Sequence, residues 1–261
     1  MSARRESRRE HWDRYWDARP VEEIYPAVGE PWRELLRWRQ VDGARALEVG
    51  AGSGRDSLEL ARRGAAVTVL DYSEPALRTV RRAWDGGLPL ALVRGDARRL
   101  PFADGSFDLV FHQGLLEHFR DPASMVVEHA RVLAPGGVLL IDVPQRWHAY
   151  TAVKRLLIAL DRWFAGWERS FSARELEGLM AAAGLEILGS YASWPEPGLA
   201  YRALRLALAR LGLRLPAHPR PLPLLGPAGA RLRAALRYRR LGHYTGMVLG
   251  TVARRPGKAA P

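Results

Sequence analysis

Five short runs, at 44–49, 65–71, 90–93, 107–112 and 138–143, are almost continuously apolar and alternate with stretches of helical periodicity. A strand apolar at every position needs cover on both faces, as in a parallel sheet flanked by helices. The intervening helices fall at 55–63, 74–84 and 122–133. Ser73 stands where an N-cap belongs, with Pro75 in the first turn after it. The Pro135-Gly136-Gly137 turn closes the helix over 122–133. Strand and helix in strict alternation predict an α/β chain with a doubly wound, Rossmann-like sheet.

The flanks follow other rules. Residues 4–17 have helical spacing and end before Pro20, and 31–39 read as a second helix opened by Pro31. After Val143 an apolar helical stretch covers 148–167 and carries Trp163, Phe164 and Trp167. Ser172 and Glu175 form a capping-box pattern ahead of a helix that Gly184 stops, and 185–193 read as a strand. Residues 199–242 read as an insertion: helical, then proline-rich (Pro216, Pro219, Pro221, Pro223, Pro227), then helical and basic. A closing strand is expected over 243–253. The division expected is an N-terminal helical cap (1–43), one domain (44–255) with insertions at about 145–170 and 197–242, and a flexible tail (256–261).

Composition narrows the chemistry. With no cysteine, disulfides, thiolate metal sites, iron–sulfur clusters and cysteine nucleophiles are excluded. No His/Asp/Glu group has metal-ligand spacing, so no metal is expected. No apolar run approaches the ~20 residues of a membrane span, and the first twenty residues are too polar for a secretory signal, so the expected compartment is the cytoplasm. The net charge of +12 is uneven: residues 197–261 hold twelve Arg, one Lys and no acid, which leaves 1–196 close to neutral. Such asymmetry suggests an anionic partner, or arginines that only solvate a surface helix pair. Lysine occurs only at Lys154 and Lys258.

The strongest motif is Glu48-Val49-Gly50-Ala51-Gly52-Ser53-Gly54, between the first strand and its helix. Glycines let the backbone turn tightly and approach a ligand, and the helix N-terminus offers unpaired N–H groups. Asp71 ends the next strand, where an acid can accept hydrogen bonds from both hydroxyls of a ribose. A dinucleotide fingerprint would place a third glycine at position 55, which is Arg55. The pattern therefore favours a nucleoside without a pyrophosphate.

These motifs, in order, resemble the class I S-adenosylmethionine-dependent methyltransferases of the small-molecule type. LEVGAGSGRDSLELARRG resembles the family's first motif and VLDYSEPAL its second. RGDARRLPFADGSFDLVFHQGLLEHFRDP, HARVLAPGGVLLIDVP and WERSFSARELEGLMAAAGLEI are similar to the later units. The resemblance covers roughly 44–193 and the closing strand. It implies a seven-stranded sheet with the last strand antiparallel, and S-adenosyl-L-methionine as cofactor. By position, Glu48, Gly50, Ala51, Gly52 and Gly54 would border its methionine part, Asp71 its ribose, and Tyr72 would stack on the adenine. Asp96 and the Ala97 backbone would meet the adenine edge, and His112, Gln113 and Gly114 would stand where cofactor and acceptor meet. Asp96 in Gly-Asp also reads as a turn residue, Asp108 as structural and Asp104-Gly105 as a turn.

Methyl transfer needs donor and acceptor positioned, and an O–H or N–H acceptor needs a base. Of His112, His118 and His148, His118 ranks first as catalytic base, because its loop should cover the methyl group; its other reading is a hydrogen bond that anchors the loop. The sequence after the fourth strand lacks the Asp/Asn-Pro-Pro-aromatic motif of base-amine methylation. Over 199–215, Tyr201, Leu204, Leu208, Leu211 and Leu215 form an apolar face opposite Arg202, Arg210 and Arg214, a pattern that packs on its own domain or lies on an anionic membrane. With 148–167 it suggests a lidded, partly apolar pocket. The expected function is methyl transfer to a small-molecule or lipid-linked acceptor with an apolar portion, with peripheral contact at the inner face of the membrane. The alternatives are an RNA methyltransferase using the basic segment, and a catalytically silent cofactor-binding protein.

Overall fold

A computed structural model describes residues 9–18, 31–163, 165–216, 219 and 225–257. Two helices, α1 (Arg9–Asp17) and α2 (Pro31–Leu35), precede the sheet. Then come β1 (Arg45–Val49), α3 (Arg55–Ala61), β2 (Ala66–Asp71), α4 (Glu74–Ala83), β3 (Leu90–Arg94), β4 (Phe107–Gln113), α5 (Pro122–Val132) and β5 (Leu133–Pro144). The C-terminal part holds α6 (Ala149–Ala159), α7 (Ala173–Ala182), β6 (Glu186–Ser193), α8 (Leu199–Arg210), α9 (Leu225–Leu236), α10 (Arg240–Thr245) and β7 (Val248–Arg254).

The seven strands lie in the order β3-β2-β1-β4-β5-β7-β6, and β7 runs antiparallel to both neighbours, as expected. The order reverses between β1 and β4, which opens a crevice beyond their carboxyl ends, where ligands bind in such sheets. The continuous apolar runs are explained by burial on both faces. Leu109 and Phe111 of β4 pack with Leu35 of α2, Leu58 of α3 and Val80 of α4. Val110 between them faces the other way, with Val126 of α5 and Met180 of α7.

Several boundaries differ from expectation. β5 begins at Leu133: Leu133 pairs with Phe107, the register then shifts, and the Pro-Gly-Gly segment lies within this irregularity, with Gly136 at φ 76°. Ser73 holds the N-cap position of α4 without a side-chain capping bond; its hydroxyl is buried without a partner among the described residues, while the Asp71 carboxylate accepts the Ser73 N–H at 2.9 Å. The Ser172–Glu175 capping box is present, and Gly184 follows α7 at φ 79°. His243 to Thr245 are helical, so the closing strand starts only at Val248. The stretch 148–167 is helical only to Ala159, and the second helix only to Leu35. Phe164, residues 4–8, Pro20 and 258–261 lie outside the described residues. Among the described residues no helix is long and apolar enough to cross a membrane.

Candidate active site

The glycine turn is the first wall of the crevice. Gly50, Gly52 and Gly54 hold φ of 65°, 54° and 65°, a left-handed backbone that disfavours side chains. A Cβ at Gly50 would lie 2.7 Å from Leu115, one at Gly54 2.7 Å from Val80, and one at Gly52 would enter the indole of Trp16. The turn thus leaves no room for a side chain at any of the three positions. Asp71 clamps this turn: its carboxylate accepts the Gly52 N–H at 3.2 Å and the Ser73 N–H at 2.9 Å, and burial raises its pKa.

Glu48 does not point a free carboxylate at the crevice. It accepts the Ser57 N–H at 3.1 Å and the Ser57 hydroxyl at 2.5 Å, pinning the first turn of α3 to β1. Burial, and then the neighbouring Asp56 carboxylate, push its pKa up to about 8. Tyr72 is half-buried beside Asp71, and burial and that charge push its hydroxyl up to about 12. Asp96 accepts from the Arg98 backbone at 2.9 Å and from its guanidinium at 2.7 Å, which holds its pKa below the usual range; the turn reading of this residue fits. Asp108 is structural, accepting from the Arg45 backbone and from the guanidinium groups of Arg45 and Arg39.

The end of β4 splits the expected residues. His112 was expected where cofactor and acceptor meet, but its ring is fully buried on the α5 side of the sheet, with its centroid 5.2 Å from that of His129. Period-2 alternation is the reason: Phe111 and Gln113 point to the α2–α3 face, so His112 points away. Burial, with His129 beside it, holds His112 well below the ordinary histidine pKa. Gln113 instead donates to Asp142 at 2.8 Å, and Gly114 follows at φ 68°.

Opposite the glycine turn, a single 3-10 turn at Leu116–His118 presents a buried polar group. The side chain of His118 is 8% exposed, with the Trp12 ring centroid 4.9 Å away and Nδ1 4.0 Å from Glu168 Oε1. Desolvation lowers its pKa, while Glu168 opposes that shift, so the ring is a neutral imidazole near neutrality. Lys154 Nζ lies 3.0 Å from Glu168 Oε2, and its side chain is 1% exposed. Glu117 is also buried, and burial, then the Glu168 charge, push it up to about 8. His148 caps α6, its Nδ1 accepting the Tyr150 N–H at 3.1 Å.

Sequence reasoning missed Trp12 and Trp16 of α1, and Lys154 and Glu168. The two tryptophans bridge the walls, one at His118 and the other at Gly52. Lys154 carried a signal: it is one of only two lysines, set in an apolar helix of an arginine-rich chain. Helix α6 turns polar residues inward. Its buried residues are Thr151 and Lys154, whereas Val153, Leu156 and Leu160 are over half exposed.

Comparison with known proteins agrees with this architecture. Residues 47–141 match a family described as a methyltransferase domain. A ubiquinone biosynthesis O-methyltransferase of Hahella chejuensis is 31% identical over 191 residues, 67% of this chain and 76% of that protein. A malonyl-[acyl-carrier protein] O-methyltransferase of Xylella fastidiosa is 41% identical over 99 residues, 37% of this chain; the match spans only 34% of that relative's length. The solved putative sarcosine dimethylglycine methyltransferase of Galdieria sulphuraria shares the fold, with a TM-score of 0.62 and 19% identity over 94% of this chain and 98% of that one.

Proposed function

Because the chain belongs to the class I S-adenosylmethionine-dependent methyltransferases, we propose that it methylates a hydroxyl oxygen of a small-molecule or lipid-linked acceptor with an apolar portion. In this reading the turn of Gly50, Ala51, Gly52 and Gly54 lies along the methionine part of the cofactor, with Glu48 fixing that turn from behind. Asp71 faces the ribose, Tyr72 the adenine plane, and Asp96 with the Ala97 backbone the adenine edge. Gln113 and Gly114 mark the boundary with the acceptor. Bound there, S-adenosylmethionine supplies an electrophilic methyl group on a sulfonium sulfur. The protein's part is to orient the acceptor and take its proton.

The observation that carries the proposal is the buried, neutral His118 ring at the end of β4, packed between Trp12 and Glu168. A neutral imidazole is the protonation state a general base requires. The same wall argues for a hydroxyl over a carboxylate acceptor. Lys154 is balanced by Glu168, and Glu117, raised to about 8, is neutral at pH 7. Among the described residues that wall offers no surplus positive charge to a carboxylate, whereas a hydroxyl needs only the base. Of the O-methyltransferase relatives, the ubiquinone biosynthesis enzyme points the same way, whereas a malonyl group offers only a carboxylate oxygen.

The apolar portion is inferred from the outer surface. Val153 and Leu156 on α6, with Trp147 before it and Leu160 just after it, are 55–62% exposed. On α8 the described residues include none that is buried, and Leu204 and Leu206 are 51% and 61% exposed. Arginines at 155, 162, 210 and 214 accompany these leucines. An anionic membrane attracts such a surface by ~1 kcal/mol per basic residue, and would supply a lipid-linked acceptor at the site.

The test is methyl transfer from labelled S-adenosylmethionine to paired acceptors, a short catechol and the same catechol with a long alkyl chain. Label in an aryl ether, favoured on the alkylated acceptor, is expected. Label that enters only RNA or carboxylates would overturn the reading. Flotation with phosphatidylglycerol vesicles tests the membrane part: binding that weakens severalfold in Leu156→Ser/Leu160→Ser supports it, and no binding by the unaltered protein refutes it.

A further inference from the structure

Helix α1 closes the site from within the chain. The Trp12 ring stands edge-on to His118 with centroids 4.9 Å apart, and Trp16 lies so near Gly52 that a Cβ there would enter its indole. One helix thus covers both the base and the glycine turn. Under this cover the Gly114 backbone hydrogen-bonds the His118 ring. Nδ1 is the nitrogen left over, buried and with no hydrogen-bond partner among the described residues. A base must come within hydrogen-bond reach of the proton it takes, so the group lying over His118 has to move when an acceptor binds.

The cover is loosely seated. No residue of Arg9–Asp17 is buried, although Trp12, Tyr15 and Trp16 are partly covered. An ion pair of Asp17 with Arg78, at 2.9 Å, ties α1 to α4; its side chains are 62% and 45% exposed, and exposed pairs contribute little. The acids of α1 also oppose its seating. Asp71 is raised by burial first and also by the charge of Asp13. Tyr72 is raised by burial, then by acids that include Asp13 and Glu10 of α1.

We propose that Trp12 is an internal plug of the acceptor site, an indole that a planar aryl hydroxyl acceptor displaces as α1 lifts. This inference rests on the reading of His118 as the base. An aryl ring replaces the edge-to-face contact that the indole makes with the imidazole. Its hydroxyl in addition supplies a hydrogen bond to Nδ1, which has none while Trp12 is in place. An aliphatic alcohol makes the hydrogen bond and leaves the ring contact unreplaced, so it displaces the plug less well. Because Trp16 rides on the same helix, lifting Trp12 also uncovers the glycine turn.

The experiment measures binding of 4-nitrocatechol, followed by its absorbance, to the full chain saturated with S-adenosylhomocysteine. Trp12→Ala should bind the probe at least about fivefold more tightly than the parent, because a site that is mostly closed weakens apparent affinity by the fraction open. A new cavity alone would also admit an aryl ring, so a second variant keeps Trp12 and loosens the helix. Asp17→Arg sets two cations together at the tie to α4 and should tighten binding about twofold or more. Asp17→Arg/Arg78→Asp should return it to the parental value. The gain in Trp12→Ala should be lost in Trp12→Ala/His118→Gln, which places the probe at the base. Weaker or unchanged binding in Trp12→Ala would overturn the inference and make Trp12 a wall of the site or a bystander. A gain in Trp12→Ala with none in Asp17→Arg, or one that survives His118→Gln, would overturn it as well. If Trp12→Ala does not fold, Asp17→Arg alone decides. No methyl transfer is read, so label that enters only carboxylates would defeat the proposed reaction and leave this result standing.

Discussion

Replacing Tyr191 with Phe removes one oxygen atom from a row that crosses four strands. Gln113, Asp142, Gly250 and Tyr191 are successive partners across β4, β5, β7 and β6. The Tyr191 hydroxyl donates to Asp142 Oδ1 at 2.6 Å, and Gln113 donates to Oδ2 at 2.8 Å. The hydroxyl reaches Asp142 only because residue 250 has no side chain; a Cβ there would strike both Tyr191 and Asp142. Asp142 is 0% exposed, and burial pushes its pKa up to about 7 against the pull of these two hydrogen bonds. The unfolded carboxyl titrates near ~3.9. Between those values the folded chain holds a proton that the unfolded chain has released, so stability falls as pH rises, by ~1.4 kcal/mol per unit, and levels off above the folded pKa. Tyr191→Phe raises the folded pKa further and extends that fall. Losing a hydrogen bond to the charged form is worth ~1.5–3 kcal/mol, and to the neutral form ~0.5–1.5 kcal/mol. Urea unfolding at pH 5 and pH 8.5 should therefore show a larger loss at pH 8.5, with unchanged m. An equal loss at both pH values, or less than ~0.5 kcal/mol at pH 8.5, would refute the linkage.

Three further outcomes are expected. Gly52→Val forces a β-branched residue into φ 54° and against Trp16, so calorimetric affinity for S-adenosylhomocysteine should fall at least about tenfold; retained affinity would remove the turn from the cofactor site. Gly178 on α7 has open space where a Cβ would go, so Gly178→Ala should stabilise the helix by ~0.8–1 kcal/mol and raise Tm; a lower Tm contradicts this. Burial holds His129 near 4 and keeps His112 neutral. Below the ordinary ~6.5 the unfolded chain takes up protons that the folded chain refuses, so stability drops from pH 6.5 towards pH 4. His129→Phe should flatten that drop, and parallel curves for variant and parent would contradict the assignment.

What the sequence disclosed was local. The glycine turn and Asp71 were legible because a strand, three glycines and a strand-terminal acid lie within one βαβ unit, and their geometry is short-range. The sheet was legible because both faces of β4 are buried, so its apolar run could not belong to a half-exposed strand. The inward turn of the His112 side chain was not read, although alternation with Gln113 implies it. The packing of α6 was not legible for a different reason. The buried counterion at Glu168 turns Lys154 inward, and Leu156 and Leu160 lie outside. No pattern within the helix predicts that, because the partner lies beyond its end. The Asp142–Tyr191 bond joins residues 49 apart and depends on a glycine in a third strand, so only the assembled sheet shows it.

The most direct test of the account is His118→Gln, with cofactor binding and methyl transfer measured on one preparation using an acceptor that the unaltered enzyme methylates. General-base catalysis contributes ~10²–10⁴-fold. The account predicts S-adenosylhomocysteine affinity within about threefold of the parent, a change of under ~1 kcal/mol, and single-turnover transfer slowed by at least ~10²-fold. Transfer at the parental rate with cofactor binding intact would contradict it.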